Sequence, residues 1–310
     1  MRINIIWFRD DFRLTDNPTL QLAARNAQAL LCVAVNQAPN ELNQWGETAL
    51  PFARRSAHSS ATWQQAAEGL HQQLQTLGQG LQLLDTVQAI ADLVAALRTA
   101  HPSATIAVVT QAIPAPYEQA HAWALRDALD DINAASGEPA PIELLEVDSA
   151  DLLSGDELPF GQAHTLHKLP SVFTAFRQQV ERAGMPVRAW VPPPSALPLP
   201  PVGFEPAKQP GCVAAFDAQS TQQPPLHLSL DVPEQFDDPV HISERAGLAH
   251  VRWYFADQKA HSYKATRNGL MRTPQTGAGY ATKLSPWLAK GCVSAATVWQ
   301  ALKAFEAQHG

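Results

Sequence analysis

Five short apolar runs punctuate the first 150 residues: 3–8 (Ile-Asn-Ile-Ile-Trp-Phe), 29–35 (Ala-Leu-Leu-Cys-Val-Ala-Val), 80–84, 104–109 and 142–147. None is long enough to be a helix core, and none alternates apolar with polar. Runs of this kind are buried on both faces, as strands of a parallel sheet are. Between them lie stretches of helical character: Pro18 to about Ala27, Pro51 to about Leu77, Val87 to Ala100, and Pro116 to about Ile132. Strand and helix alternating in this way imply a doubly wound, parallel five-stranded α/β sheet with right-handed crossovers. Ligands of such sheets sit at the C-terminal strand ends. No GxGxxG follows the first strand and no P-loop is present, which argues against conventional dinucleotide or nucleoside-triphosphate chemistry on this sheet.

After Asp148 the character changes. Residues 165–177 lead into a helix that runs to about Ala183. Residues 191–210 are dense in proline and must be extended or irregular. With the polar residues up to Pro233 they read as a long linker. From Ser243 the chain turns helical again, with Leu248, Val251, Trp253, Tyr254 and Phe255 on a core-like face and a last helix over 295–308. The expected organisation is an α/β domain over 1–150, a linker with a short helix over 151–240, and the start of an all-helical domain over 241–310. The apolar faces of this helical part lack obvious partners in the sequence, so it reads as incomplete.

The formal net charge of −7 argues against strong unspecific binding to duplex DNA, which needs many cations on phosphates. A local basic groove remains compatible with it. The three cysteines, Cys32, Cys212 and Cys292, are too few and too scattered for a disulfide framework or a metal motif. With no signal peptide and no apolar run of membrane-spanning length, the expectation is a cytoplasmic protein, taken as a monomer.

One stretch carries chemistry. Ser285-Pro286 is a helix entrance by residue type: Ser285 suits the N-cap and Pro286 the first helical position. The preceding Thr282, Lys283 and Leu284 would add a hydroxyl, a cation and backbone N–H groups. Such a set suits an anion, and a pyrophosphate in particular. An ordinary capped helix with nothing bound is the alternative.

Four motifs resemble one family. Trp7-Phe-Arg-Asp-Asp-Phe-Arg-Leu-Thr-Asp-Asn17 resembles the opening strand and loop of the photolyase/cryptochrome family. Leu169-Pro-Ser-Val-Phe-Thr-Ala-Phe-Arg177 is similar to the DASH branch of that family. Tyr263-Lys-Ala-Thr-Arg-Asn-Gly269 and Thr282-Lys-Leu-Ser-Pro-Trp-Leu-Ala289 resemble that branch's flavin-binding loops. The resemblance implies a helical domain that cradles FAD. It also implies blue-light-driven electron transfer from reduced FAD to cyclobutane pyrimidine dimers in single-stranded DNA. By position, Tyr263 would touch the ribitol or phosphate region, while Thr282, Lys283, Leu284 and Ser285 would hold the phosphates. Arg267 would meet a DNA phosphate, or else form a surface ion pair. Trp287 is expected in the core.

The sequence also departs from the pattern. The resemblance implies further helices than are present, holding the residues around the flavin ring, so activity is expected to be impaired in this chain and no catalytic side chain is assigned. Ala295-Ala296 stands where Pro-Arg is implied. An antenna of 5,10-methenyltetrahydrofolate is implied only weakly, because Gln111 and its neighbours offer no carboxylate. Two further readings stay open: a degenerate, non-catalytic binding or signalling module, and a nucleotide-binding α/β protein of another kind.

Overall fold

In the computed structural model of the chain the described residues are 1–36, 42–45, 48–53, 56–135, 141–149, 151–153, 155–160, 168–213, 241–256, 259–267 and 281–309. The polar part of the linker beyond residue 213 and the stretch 268–280 therefore lie outside the described residues.

Strands β1 (Arg2–Phe8), β2 (Ala29–Val35), β5 (Leu81–Leu84), β6 (Thr105–Gln111) and β7 (Glu143–Val147) form where the five apolar runs stand. They pair in parallel in the order β7-β6-β1-β2-β5. The two-residue period of β1 divides its side chains between two cores. Ile3, Ile5 and Trp7 pack on one face with residues of α3 (Gln88–Ala100) and α4 (Pro116–Ala135), among them Leu93, Leu97, Leu125 and Leu129. Ile6 and Phe8 pack on the other with residues of α1 (Pro18–Ala24) and α2 (Ala57–Gln75), among them Leu20, Trp63, Leu70 and Leu74.

Three expectations are corrected. The sheet has a sixth strand, β8 (Cys212–Val213), which pairs antiparallel with β5 at the edge. It comes from the proline-rich segment, whose short pairing leaves no periodic signature. The helix expected from Pro51 begins at Ala57 instead, where the Ser56 hydroxyl accepts the Ser59 N–H at 3.1 Å. Residues before it form β4 (Thr48–Ala53), paired with β3 (Leu42–Trp45) in a two-stranded hairpin. Such a hairpin is all edge, so it tolerates Pro51. Thirdly, part of the helical segment's apolar surface does find cover. Val251, Leu284, Trp287, Cys292 and Val293 are buried in the same cluster as Ile6, Phe8 and Phe12.

The proline-rich segment is laid across the sheet as a strap. Val191 and Leu199 accept the N–H groups of Asp16 and Leu30, Gln79 donates to Pro198, and Leu197 and Phe204 are buried. Helix α5 (Phe173–Ala183) ends at Gly184 in the left-handed conformation. Beyond the strap come α6 (Glu244–Ala256), α7 (Lys259–Thr266), α8 (Ser285–Ala289) and α9 (Ala295–His309).

Candidate functional site

The loop between β1 and α1 fixes the helical segment to the sheet. Asp10 and Asp16 take positive φ (42° and 53°), which folds residues 9–17 into a tight crest. Several of its backbone N–H groups and the Arg13 side chain reach the helical segment. Leu14 and Thr15 donate to the buried carboxylate of Glu244 at 2.8 and 2.7 Å. Phe12 N–H donates to the Lys290 carbonyl and Arg13 Nη1 to the Gly291 carbonyl, at 3.2 and 2.9 Å. Asp16, whose side chain is fully buried, receives both Nη groups of Arg188 at 2.7 and 2.6 Å. Burial alone would raise the Asp16 pKa, but the Arg188 bonds, with others from Ser294 and the Val191 N–H, hold it below its ordinary value.

Gly291 shows how close this clasp is. At φ +59° its Cα faces the Asp10–Asp11 backbone, and an added Cβ would overlap the Asp10 carbonyl oxygen. Gly247 on α6 likewise lies against Val293 and Trp287, where a Cβ would come within 2.5 and 2.9 Å. Helices α6 and α8 are thus set in fixed register over the crest.

On that platform α6 carries two buried polar side chains one turn apart, His250 (3% exposed) and Tyr254 (2% exposed). His250 Nε2 lies 2.8 Å from the Thr282 carbonyl oxygen, and its ring stacks on Trp287 with centroids 4.8 Å apart. Burial lowers its pKa; the Thr282 bond opposes this and the Lys283 charge adds to it. Burial, with the Tyr263 hydroxyl nearby, pushes the Tyr254 pKa up. His250 Nδ1 and Tyr254 Oη are both buried without a hydrogen-bond partner among the described residues. Buried polar atoms in that state are costly, about 1–3 kcal/mol each, and call for an explanation.

Of the sequence-expected residues, Thr282 and Trp287 touch His250, and Tyr263 and Lys283 lie near enough to act on Tyr254 and His250. Tyr263 stands on α7, 40% exposed. Arg267 is exposed just past the end of α7, where its N–H caps the Tyr263 carbonyl at 2.9 Å. Thr282 and Lys283 are half-buried, Leu284 is buried and Ser285 is exposed. Trp287 is a core residue, 2% exposed, with its ring N–H donated to the His241 carbonyl at 3.1 Å.

One expectation here is corrected. Ser285 is not the N-cap of α8; Leu284 occupies that position and Ser285 is the first helical residue. Lys283 adopts φ +54°, so the chain turns into the helix one residue earlier than the Ser-Pro pair suggests. Helix α8 has five residues, so its dipole is small. What the turn offers is local: the Lys283 cation, the Thr282 and Ser285 hydroxyls, and the N–H groups of Leu284 and Ser285, which donate to no described residue. His250 and Glu244 were not singled out by sequence reasoning, and Tyr254 was read only as core. The signal that could have found His250 and Tyr254 is their four-residue spacing on an otherwise apolar face.

Elsewhere, a groove of about 640 Å³ runs between α1 and the strap at Pro192–Pro194, away from these residues. At the C-terminal ends of β1 and β6, Arg9 Nη1, Asp11 Oδ2 and Gln111 Oε1 are buried without partners among the described residues. No described helix is long and apolar enough to cross a membrane.

The chain is similar to two curated proteins named Cryptochrome DASH. It is 26% identical over 309 residues to that of Synechocystis sp., covering 97% of this chain and 54% of the relative. It is 30% identical over 314 residues to that of Vibrio parahaemolyticus, covering 100% and 59%. The chain thus spans a little over half the length of these relatives. The crystal structure of Synechocystis sp. PCC6803 cryptochrome superposes with a TM-score of 0.72 at 26% identity, over all of this chain and 56% of that one. A class III photolyase from Agrobacterium tumefaciens shares the fold, with a TM-score of 0.67 at 20% identity over all of this chain and 54% of that one. The family description DNA photolyase matches residues 4–199, from the first strand through the strap, and the chain belongs to that family.

Proposed function

We propose that the chain is part of a DASH-type cryptochrome or photolyase-like flavoprotein, and that the surface between Tyr263 and Thr282–Ser285 receives FAD. The observation that carries this is the pair of unpartnered buried atoms, His250 Nδ1 and Tyr254 Oη, on the helix that bridges the two flavin-loop motifs. A hydroxyl and an imidazole lone pair one helical turn apart, on the helix whose His250 bonds the Thr282 carbonyl, with the Lys283 cation and backbone N–H groups that donate to no described residue, fit the ribitol–diphosphate portion of such a cofactor. When bound and reduced, FAD supplies an electron on excitation by blue light, with a cyclobutane pyrimidine dimer as acceptor. The chain's own part is binding. Lys283 offsets diphosphate charge, Thr282, Leu284 and Ser285 offer donors, and Tyr263 lies along the rim. Arg267, exposed beyond α7, meets a phosphate of single-stranded DNA, in which the dimer is already unpaired and cheapest to extract. The reading includes a monomeric, cytoplasmic protein.

For 5,10-methenyltetrahydrofolate the fit is poor. Gln111 supplies a buried amide oxygen without charge where a carboxylate is implied, so no step is assigned to that group. The non-catalytic reading has one observation in its favour: Ala296, where an arginine is implied, is a buried apolar residue at 1% exposure.

Reconstitution tests both. The purified chain is incubated with FAD, desalted, and its flavin absorbance read. It is then illuminated in blue light with a dimer-containing oligothymidylate. Retained flavin with dimer splitting supports the photolyase reading, and retained flavin without it supports a binding or signalling module. No retained flavin removes the cofactor from this chain.

A further inference from the structure

His250 reaches both ends of the turn that the FAD reading depends on. Its Nε2 is 2.8 Å from the Thr282 carbonyl, which can only accept, so Nε2 carries the proton. Its ring stacks on Trp287, 4.8 Å away at 27°, within α8. Between these two anchors stands Lys283 at φ +54°, a conformation that non-glycine residues adopt at a cost. Trp287 is itself held, by its bond to the His241 carbonyl and by close contact with Gly247. The left-handed Lys283 is therefore braced by one imidazole against a rigid helix, and the strain is held by partners 32 residues away in sequence.

We propose that His250 is a positioning residue for the cofactor turn: its Nε2–H bond to the Thr282 carbonyl fixes the Thr282–Ser285 backbone in the shape that receives a diphosphate. This rests on the FAD reading above. With its pKa lowered by burial, the neutral ring presents one donor and one lone pair, and the donor is spent on Thr282.

The test compares the wild-type chain with H250F, which keeps an aromatic ring against Trp287 but loses the donor, and H250Q, whose amide N–H can reach the same carbonyl. Two quantities are measured: the FAD dissociation constant by flavin fluorescence, and the rise in thermal midpoint that saturating FAD produces. About tenfold weaker FAD binding is expected for H250F, matching the loss of one buried hydrogen bond to the Thr282 carbonyl, together with a smaller FAD-induced rise. H250Q is expected to restore both to near wild type. A merely structural role would lower the flavin-free midpoint and leave the FAD-induced rise unchanged. Equal FAD binding by wild type and H250F overturns the inference alone. A wild-type chain that takes up no flavin overturns the FAD reading and the inference together. Should H250F not fold, ¹⁵N-histidine spectra of the wild type decide. An Nε2–H tautomer at His250 whose proton exchange slows when FAD is added supports the inference, and an Nδ1–H tautomer or no response to FAD overturns it.

Discussion

At the residue scale the most consequential group is Asp11. Its carboxyl is completely buried; Oδ1 accepts the Arg9 N–H at 2.7 Å, while Oδ2 has no partner among the described residues. Burial pushes its pKa up to about 6, against the opposing pull of the Arg13 charge and the Arg9 N–H. A carboxyl with a raised folded-state pKa binds more protons when folded than when unfolded. Its contribution to stability is thus complete below about pH 4 and is lost as pH rises through about 6. The difference corresponds to about 3 kcal/mol at most. Asp16 acts in the opposite sense: its lowered pKa gives stability that is lost as pH falls through the acid range. Urea midpoints measured from about pH 2 to 8 should separate the two, the Asp16 limb lying below about pH 4 and the Asp11 decline between about pH 4 and 6. In D11N the decline between pH 4 and 6 should flatten while the acid limb stays. Parallel wild-type and D11N curves would show that Asp11 is not the titrating group. None of this was legible in the sequence. Asp11 stood there as one letter of a family motif: the charges that act on it, Arg9, Asp10 and Arg13, are its sequence neighbours, but the burial that raises its pKa comes from packing, with Gly291 laid against its backbone 280 residues further on.

At the scale of elements, the parallel strands were legible because each is apolar on both faces, and the helices between them because stretches of helical character separate those runs. The Ser56 cap was missed, so α2 was expected from Pro51; the other elements misread are set by contacts rather than by local preference. Strand β8 exists because Gly211 and Cys212 meet β5, where the Gly211 carbonyl accepts the Asp85 N–H at 3.0 Å. The entry to α8 shifts at Lys283, whose φ of +54° lies between the Thr282 carbonyl bonded by His250 and the Trp287 ring stacked on that imidazole. Two glycines of nearly equal φ make the distinction measurable. Gly184, at +61°, has no atom within 4 Å of an added Cβ, whereas Gly291, at +59°, meets the Asp10 and Asp11 backbone. G184A should therefore cost only the left-handed penalty of roughly 1–2 kcal/mol. G291A should cost well beyond that, because the crest and α8 cannot both keep their places. Thermal unfolding of the two variants in parallel checks this, and similar midpoints would mean that the crest yields more readily than its packing suggests.

At the scale of the whole molecule the sequence reads as an α/β domain, a linker and a helical domain, and the structure joins their cores. Ile6 and Phe8 of the first strand share a cluster with Val251, Leu284 and Trp287 of the helical segment. The strap adds polar ties: Arg188 to Asp16, and the Trp190 ring N–H to the Thr297 hydroxyl at 3.3 Å. A candidate cofactor turn held this way depends on the sheet, since the crest fixes α6 and α6 fixes the turn. The dependence should appear as cooperativity. Tryptophan fluorescence and far-UV circular dichroism should trace one urea transition for the wild-type chain, because the buried apolar residues described in the helical segment, among them Val251, Leu284 and Trp287, belong to the sheet's own cluster. Arg188→Ala sharpens the test. It leaves the Asp16 carboxylate, whose side chain is 0% exposed, without its cation, at a cost of about 3–5 kcal/mol, and does so far from the turn. In a single cooperative unit both probes shift together by that amount. If the helical segment were independent, the summed fluorescence of its Trp253, Trp287 and Trp299 with those of the α/β part, such as Trp7 and Trp63, would become biphasic in R188A, and the crest would be a point of contact between two bodies rather than their shared foundation.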